Sequence, residues 1–161
     1  MSHRSKYQQL PTDAINPATL GIDKASSADI IELMLNDDRK VLAAVQREKP
    51  RIAIGADIIV EALRKSGRVI FVGAGTSGRL GVVESAEMPT TFGTDPESIQ
   101  AVMAGGKNAF LHTKEGAEDS YEDGARAIAR LKPTKKDVVV GVSASGMTPY
   151  VRGGLTRARK A

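Results

Sequence analysis

The amino-acid sequence predicts an α/β fold: a parallel sheet with flanking helices, preceded by an N-terminal helical segment. Three observations carry this. Val69-Ile70-Phe71-Val72 and Val138-Val139-Val140-Gly141-Val142 are apolar, β-branched runs of the kind found in strands buried on both faces. Each runs into a turn rich in glycine or hydroxyls, Gly73 to Gly78 and Ser143 to Thr148, and then into a helical pattern. Between them lie a shorter apolar run, Ser98 to Met103, and a helical stretch, Tyr121 to Leu131. Strands that alternate with helices pair in parallel.

In chain order, residues 1–25 carry Pro11 and Asn16-Pro17 and little periodicity, and read as an extended arm. Residues 26–66 read as the helical segment. Ser26 with Asp29 has the spacing of a capping box. Asn36-Asp37-Asp38 is expected to interrupt the first helix, with Asp37 or Asp38 capping a second. Pro50 fits the first turn of a third, and Gly67 its C′ position. Residues 67–161 then hold the sheet. The first strand leads through the glycine turn into a helix with Leu80, Val82, Val83 and Ala86 on its pattern, expected to close before Pro89. Thr90 to Pro96 reads as a loop, Asn108 to Thr113 as a helical turn, and Glu115 to Ser120 as an acidic loop. Ser120 is placed to cap the next helix, and Thr148 to cap the last, which begins at Pro149.

Composition narrows the function. The chain has 161 residues, of which 41% are hydrophobic, enough for one globular core. It has no cysteine, so disulfides and thiolate-bound metals are excluded. No apolar run of about 18 residues suggests a membrane span, and the first residues lack the apolar stretch of a secretory leader. The default expectation is a cytoplasmic protein with no membrane and no nucleic-acid partner. Its net charge is +4, but aromatic residues are few and not interleaved with the basic ones. A mild positive balance suits an anionic small molecule.

The turn from Gly73 to Gly78 is the strongest chemical signal. A strand, a glycine turn and a helix start form an anion site, because free backbone N–H groups and the helix dipole point at the ligand. The spacing of Gly73, Gly75 and Gly78 also fits the dinucleotide fingerprint. That fingerprint needs an acid about 20 residues on, and here the second strand ends at Ala104-Gly105-Gly106-Lys107. The hydroxyls of Thr76 and Ser77 suit a phosphate monoester better. A plain strand-to-helix turn with Ser77 as cap would also explain this stretch alone. A second hydroxyl turn, Ser143 to Ser145, follows another strand end, and both turns fall on the carboxyl edge, where such sheets bind ligands. The histidines, His3 and His112, lie far apart and make a poor metal set. Acid–base work is left to carboxylates: Glu84 and Glu87 on one helix face, and Glu115, Glu118 and Asp119 in the acidic loop. Ordinary solvated acids would look the same.

The motifs GAGTSGRLGVVESAEMPTTFGT, VMAGGKNAF, EGAEDS and DVVVGVSASGMTPYV closely resemble those of the N-acetylmuramic acid 6-phosphate etherases, and ASSADIIELMLNDDRKVLAAV is similar to their helical lead-in. These are sugar isomerase (SIS) domain proteins, with the glucokinase regulator as an animal relative. The resemblance implies a three-layer αβα SIS fold, a homodimer, and no cofactor or metal. It implies a lyase that cleaves the D-lactyl ether of a sugar 6-phosphate in cell-wall amino sugar recycling. Glu87 matches the acid that protonates departing lactate, and Glu118 the base at C2. Gly75, Thr76, Ser77, Gly78, Ser143 and Ser145 would hold the phosphate. A non-catalytic sugar-phosphate sensor of the glucokinase-regulator type is the alternative. Two features depart from the pattern. Met147 stands where arginine is common, and the family's chains are about twice as long, comparing motif order with domain size. The sequence is therefore expected to be the N-terminal part of such an enzyme, with an open outer edge on its third strand, prone to aggregate and with little activity alone.

Overall fold

The computed structural model describes Thr12 and residues 14–161; His3 and the first part of the expected arm lie outside the described residues. The chain divides into two compact units, Met1–Ala56 and Asp57–Ala161. In the first, Pro17–Thr19 and Ile22–Lys24 form 3-10 turns, the former capped by the Asn16 side chain, which accepts from the Ala18 N–H at 3.1 Å. The Ser26–Asp29 capping box is present, with the Asp29 N–H donating to Ser26 Oγ at 3.2 Å and Ser26 Oγ donating to Asp29 at 2.6 Å.

The helical segment differs from expectation. It is one helix, α1 (Ser27–Arg64), not three. Asp37 does not cap a new helix but pairs with Lys40 one turn on, at 2.6 Å. Pro50 sits inside the helix. A proline there removes one N–H, and its neighbours, rich in alanine, lysine, arginine and glutamate, are strong helix formers that carry the helix past it. Its end is a Schellman motif: Gly67 N–H donates to the Ala62 carbonyl at 2.9 Å and Ser66 N–H to Leu63 at 3.0 Å. The left-handed C′ residue is therefore Ser66, with φ 57°, rather than Gly67. Gly67 is needed for space, since a Cβ there would stand 2.0 Å from the Lys136 carbonyl oxygen.

The second unit holds a three-stranded parallel sheet in the order β2-β1-β3, with β1 (Val69–Gly73) between β2 (Ile99–Met103) and β3 (Val138–Val142). Val69 lies opposite both Ile99 and Val138, so the three strands start level and end level. Alternation along β1 sends Ile70 and Val72 to one face and Phe71 to the other. On the Ile70 and Val72 face, α4 (Tyr121–Arg130) and α5 (Pro149–Ala158) bury Ile128, Tyr150 and Val151. On the Phe71 face lies α2 (Gly75–Phe92), where a Cβ at Gly81 would meet Phe71 Cβ at 2.8 Å. The unit is thus three-layered, with helices on both faces, as an SIS-type α/β domain requires.

Helices α4 and α5 touch backbone to backbone. A Cβ at Gly124 would be 1.9 Å from the Tyr150 oxygen, and one at Gly153 would be 1.9 Å from the Tyr121 oxygen. Ser120 caps α4 as expected, accepting from Asp123 N–H at 3.2 Å. Thr148 precedes α5 without a side-chain cap bond. Helix α2 does not close before Pro89. It continues to Phe92, where Gly93 at φ 64° ends it by donating to the Pro89 carbonyl at 2.9 Å. Placed in the last turn, Pro89 costs a single hydrogen bond, and the expected loop is correspondingly shorter.

At the amino ends of β1 and β3, Asp137 gathers the chain. Its carboxylate accepts from Arg68 N–H at 2.7 Å, from Arg68 Nη2 at 2.8 Å and from Thr134 N–H at 2.8 Å. The Asp137 side chain is 4% exposed and that of Arg68 27%. Burial pushes the carboxyl up, but the Arg68 guanidinium and the two backbone N–H groups outweigh it and hold it at about 2. An aspartate in the unfolded chain titrates near 3.9. The folded value is the lower one, so the contribution is full above about pH 5 and is lost as pH falls through about 4 towards 2. Discounted for the solvent that reaches Arg68, it amounts to about 1–2 kcal/mol. Asp137→Asn is expected to lose that amount in urea unfolding at pH 7 and to flatten the acid limb of stability. An acid limb identical to wild type would contradict the assignment.

Candidate functional site

The ends of β1 and β2 and the start of α5 line a cleft of about 310 Å³ at the carboxyl edge of the sheet. Ala74, Gly75 and Arg79 form one wall, Met103 and Ala104 its floor at the end of β2, and Thr148 the side next to β3. The far wall is the segment after α3 (Asn108–Leu111), with Thr113, Lys114, Glu115 and Glu118.

The first wall is a helix start without a side-chain cap. Helix α2 begins at Gly75 after the extended residue Ala74, which makes no side-chain cap bond. Ser77 is therefore inside the first turn and not the cap. The N–H groups of Gly75, Thr76 and Ser77 precede the first intrahelical bond, as the first donors of any helix do. Gly78 N–H is the first to be taken, by the Ala74 carbonyl at 3.2 Å. Gly78 serves the turn by its size: a Cβ would lie 2.7 Å from Met103 Cβ, so only glycine lets α2 rest on β2 here. The Thr76 side chain is exposed and that of Ser77 half-buried.

The second hydroxyl turn holds itself together. Ser143 Oγ lies 2.9 Å from Thr148 Oγ1 and accepts from Gly146 N–H at 3.1 Å, while Ser145 Oγ accepts from Met147 N–H at 3.2 Å. A hydroxyl that accepts from a backbone N–H keeps its own proton to donate, so Ser145 retains a donor for a ligand. Gly146, at φ 68°, supplies the left-handed residue of this turn, and Met147 is exposed.

Of the residues singled out in the sequence, Gly75, Glu115, Glu118 and Thr148 line the cleft, whereas Thr76, Ser77, Gly78, Ser143 and Ser145 do not. Glu118 is exposed in the 3-10 turn Ala117–Asp119, beside Glu115. Glu87 does not line this cleft. It is exposed on α2, twelve residues beyond Gly75, about 18 Å along a straight helix. Glu84 is exposed on the same helix. Sequence reasoning passed over Arg79 and Lys114, the cations that line the cleft among the described residues. Arg79 is spent on the protein itself, with Nε donating to the Phe110 carbonyl at 2.8 Å and Nη2 to that of Ala109 at 2.9 Å. Carbonyl partners thirty residues away leave no trace in sequence spacing. Among the described residues no group of three or more histidines and carboxylates could hold a metal ion, and no helix is long and apolar enough to cross a membrane.

A parallel sheet with helices on both faces, and with a helix start and a carboxylate lining one cleft at its carboxyl edge, defines the second unit as a three-layer α/β domain. The model of the glucokinase regulatory protein N-terminal SIS domain matches residues 51–159, and the chain belongs to that family. It is similar to three proteins named N-acetylmuramic acid 6-phosphate etherase. The one from Salinibacter ruber is 49% identical over 97% of this chain and 50% of its own length. That from Nostoc punctiforme is 45% identical over 99% of this chain and 52% of its own. That from Clostridium beijerinckii is 45% identical over 92% and 49%. The chain spans about half the length of the curated relatives it matches.

The bare turn depends on one backbone conformation. Gly75 has φ +54°, and a Cβ there would meet nothing within 4 Å. Gly75→Ala therefore tests conformation without a clash. It is expected to lower stability by about 1–2 kcal/mol in urea unfolding. Gly75→Asn should cost less, because asparagine enters the left-handed region more readily. Equal stability of Gly75→Ala and wild type would show that the turn relaxes.

Proposed function

We propose that the chain carries the sugar-phosphate cleft of an N-acetylmuramic acid 6-phosphate etherase. The substrate is N-acetylmuramic acid 6-phosphate, and the products are N-acetylglucosamine 6-phosphate and D-lactate. The observation that carries this is the pairing of Glu118 with the first turn of α2 across one cleft. The printed names of the relatives supply the reaction. Its setting would be the cytoplasm, in the recycling of cell-wall amino sugars.

The phosphate sits at the N–H groups of Gly75, Thr76 and Ser77, with the close packing of Gly78 shaping the turn and the hydroxyls of Ser143 and Ser145 approaching from the β3 side. Charge favours this, since the helix start and Arg79 offset the two acids of the far wall. In the open-chain sugar the aldehyde acidifies the C2–H bond. Glu118 takes that proton, the C3–O bond to the lactyl group breaks, and a second acid returns a proton to the departing oxygen as D-lactate. Water then adds its hydroxyl at C3 and gives its proton to the second carboxylate, while Glu118 returns its proton to C2, so both carboxyl groups end as they began. Proton removal and proton delivery each need one carboxyl group, and the step requires no electron carrier.

Glu87 is the proposed acid. Its distance along α2 from the phosphate turn is long for one hexose phosphate. The partner subunit's Glu87 would complete each cleft in a symmetric homodimer. The matching of the glucokinase regulatory model favours a second reading, a sugar-phosphate sensor that binds without turnover.

D-Lactate release by the protein at the full length of its relatives decides between them. On the etherase reading, wild type releases D-lactate from the sugar acid phosphate. Glu87→Gln and Glu118→Gln release none, yet bind N-acetylglucosamine 6-phosphate within about threefold of wild type. Mixing the two inactive variants restores part of the release, because a mixed dimer holds one intact pair. Binding without release by wild type would favour the sensor, and no binding of either sugar phosphate would overturn both.

A further inference from the structure

Arg79 moves no proton in the chemistry just described, and beyond its charge it stands between two walls of the cleft. It is the fifth residue of α2, two positions beyond Ser77. Its half-buried side chain reaches across to the carbonyls of Ala109 and Phe110, 30 and 31 residues further along the chain. Those carbonyls belong to α3, a helix of four residues. So short a helix does not hold itself in water, and its last carbonyls have no intrahelical donors. The backbone hydrogen bonds from Gly106 to Asp119 close local turns: Gly106 to Met103, Ala109 to Gly106, Phe110 to Lys107, His112 to Asn108, Ala117 to Lys114 and Asp119 to Gly116. They shape the segment. Ala117 packs against the core beside Glu118, and the buried methyl of Ala109 anchors α3. The two Arg79 bonds join α3 to the first turns of α2.

We propose that Arg79 is a positioning residue. Its guanidinium fork ties the segment that carries Glu118 to the first turns of α2, and so sets where the Glu118 carboxylate stands relative to a sugar 6-phosphate held at that turn. The inference rests on the etherase reading for what the cleft holds; the clamp itself rests on the two bonds. Charge alone does not do this work. Two carbonyls at fixed spacing need two N–H groups in a rigid plane, which guanidinium has and an ammonium lacks.

The test uses the protein at the full length of its relatives with Arg79→Lys and Arg79→Met. One arm follows amide hydrogen exchange without ligand. Residues 108–119 should exchange about tenfold faster in both variants, with β1 and β3 as protected as in wild type. The other arm follows loss of deuterium from C2 of N-acetylglucosamine 6-phosphate, the reverse half of the Glu118 step. Its kcat should fall about tenfold or more in both variants while KM stays within about threefold. A merely structural loss would lower the active fraction and expose the strands as well. Wild-type exchange at residues 108–119, or full rescue by Arg79→Lys, would overturn the clamp. A raised KM at constant kcat would overturn it in favour of direct substrate contact. Absence of deuterium loss in wild type would overturn the etherase reading and the role proposed for Arg79 with it, while the amide arm would still show whether the bonds hold the segment.

Discussion

The level pairing of β1 with both neighbours is the constraint on which the rest depends. Val69 faces Ile99 on one side and Val138 on the other, and Gly73 faces Met103 and Val142. All three strands are five residues long and end together. The turn after β1, the end of β2 and the turn after β3 therefore meet at one edge, as ligand sites of open parallel sheets do. A register shift of one residue in either pair would turn Met103 off the face on which Gly78 rests, or Gly141 away from the Val151 and Leu155 side chains that fill the space a Cβ would take. The glycines are thus part of the register: each marks a spot where backbone or helix comes too close for a side chain.

The sheet was legible in the sequence because buried parallel strands are nearly continuous apolar runs. Val69 to Val72 and Val138 to Val142 could be read with their ends almost correct. The helix boundaries were less legible. Prolines were read as punctuation at Pro50 and Pro89, yet a single missing N–H is a local loss that long flanking patterns outweigh. Ser66 took the left-handed place that Gly67 would fill more easily, because Gly67 was reserved for the approach of Lys136. The same limit hid Arg79, whose partners are carbonyls. Any residue offers a carbonyl, so no residue type announces one.

The candidate site was legible in kind and only partly in composition. Glycine and hydroxyl turns after strands pointed to the carboxyl edge, and the fold brings Gly75, Glu118 and Thr148 to one cleft there. The hydroxyls of Ser143 and Ser145 turned out to be engaged in ordering their own turn. Glu87 stands away from the cleft, on the exposed side of α2. Spacing along a helix tells which residues share a face, but not which cavity that face meets. On the proposed reading, this is why a second subunit enters the account.

The central claim is that the carboxyl-edge cleft takes a sugar 6-phosphate with its phosphate on the first turn of α2. The most direct measurement is an amide NMR titration of the chain with N-acetylglucosamine 6-phosphate and, in parallel, with the unphosphorylated sugar. The account predicts saturable shifts of Gly75, Thr76 and Ser77, with smaller ones at Glu115 to Glu118, for the phosphate ester alone. Equal shifts with the unphosphorylated sugar, or shifts that leave the α2 turn untouched, would contradict it.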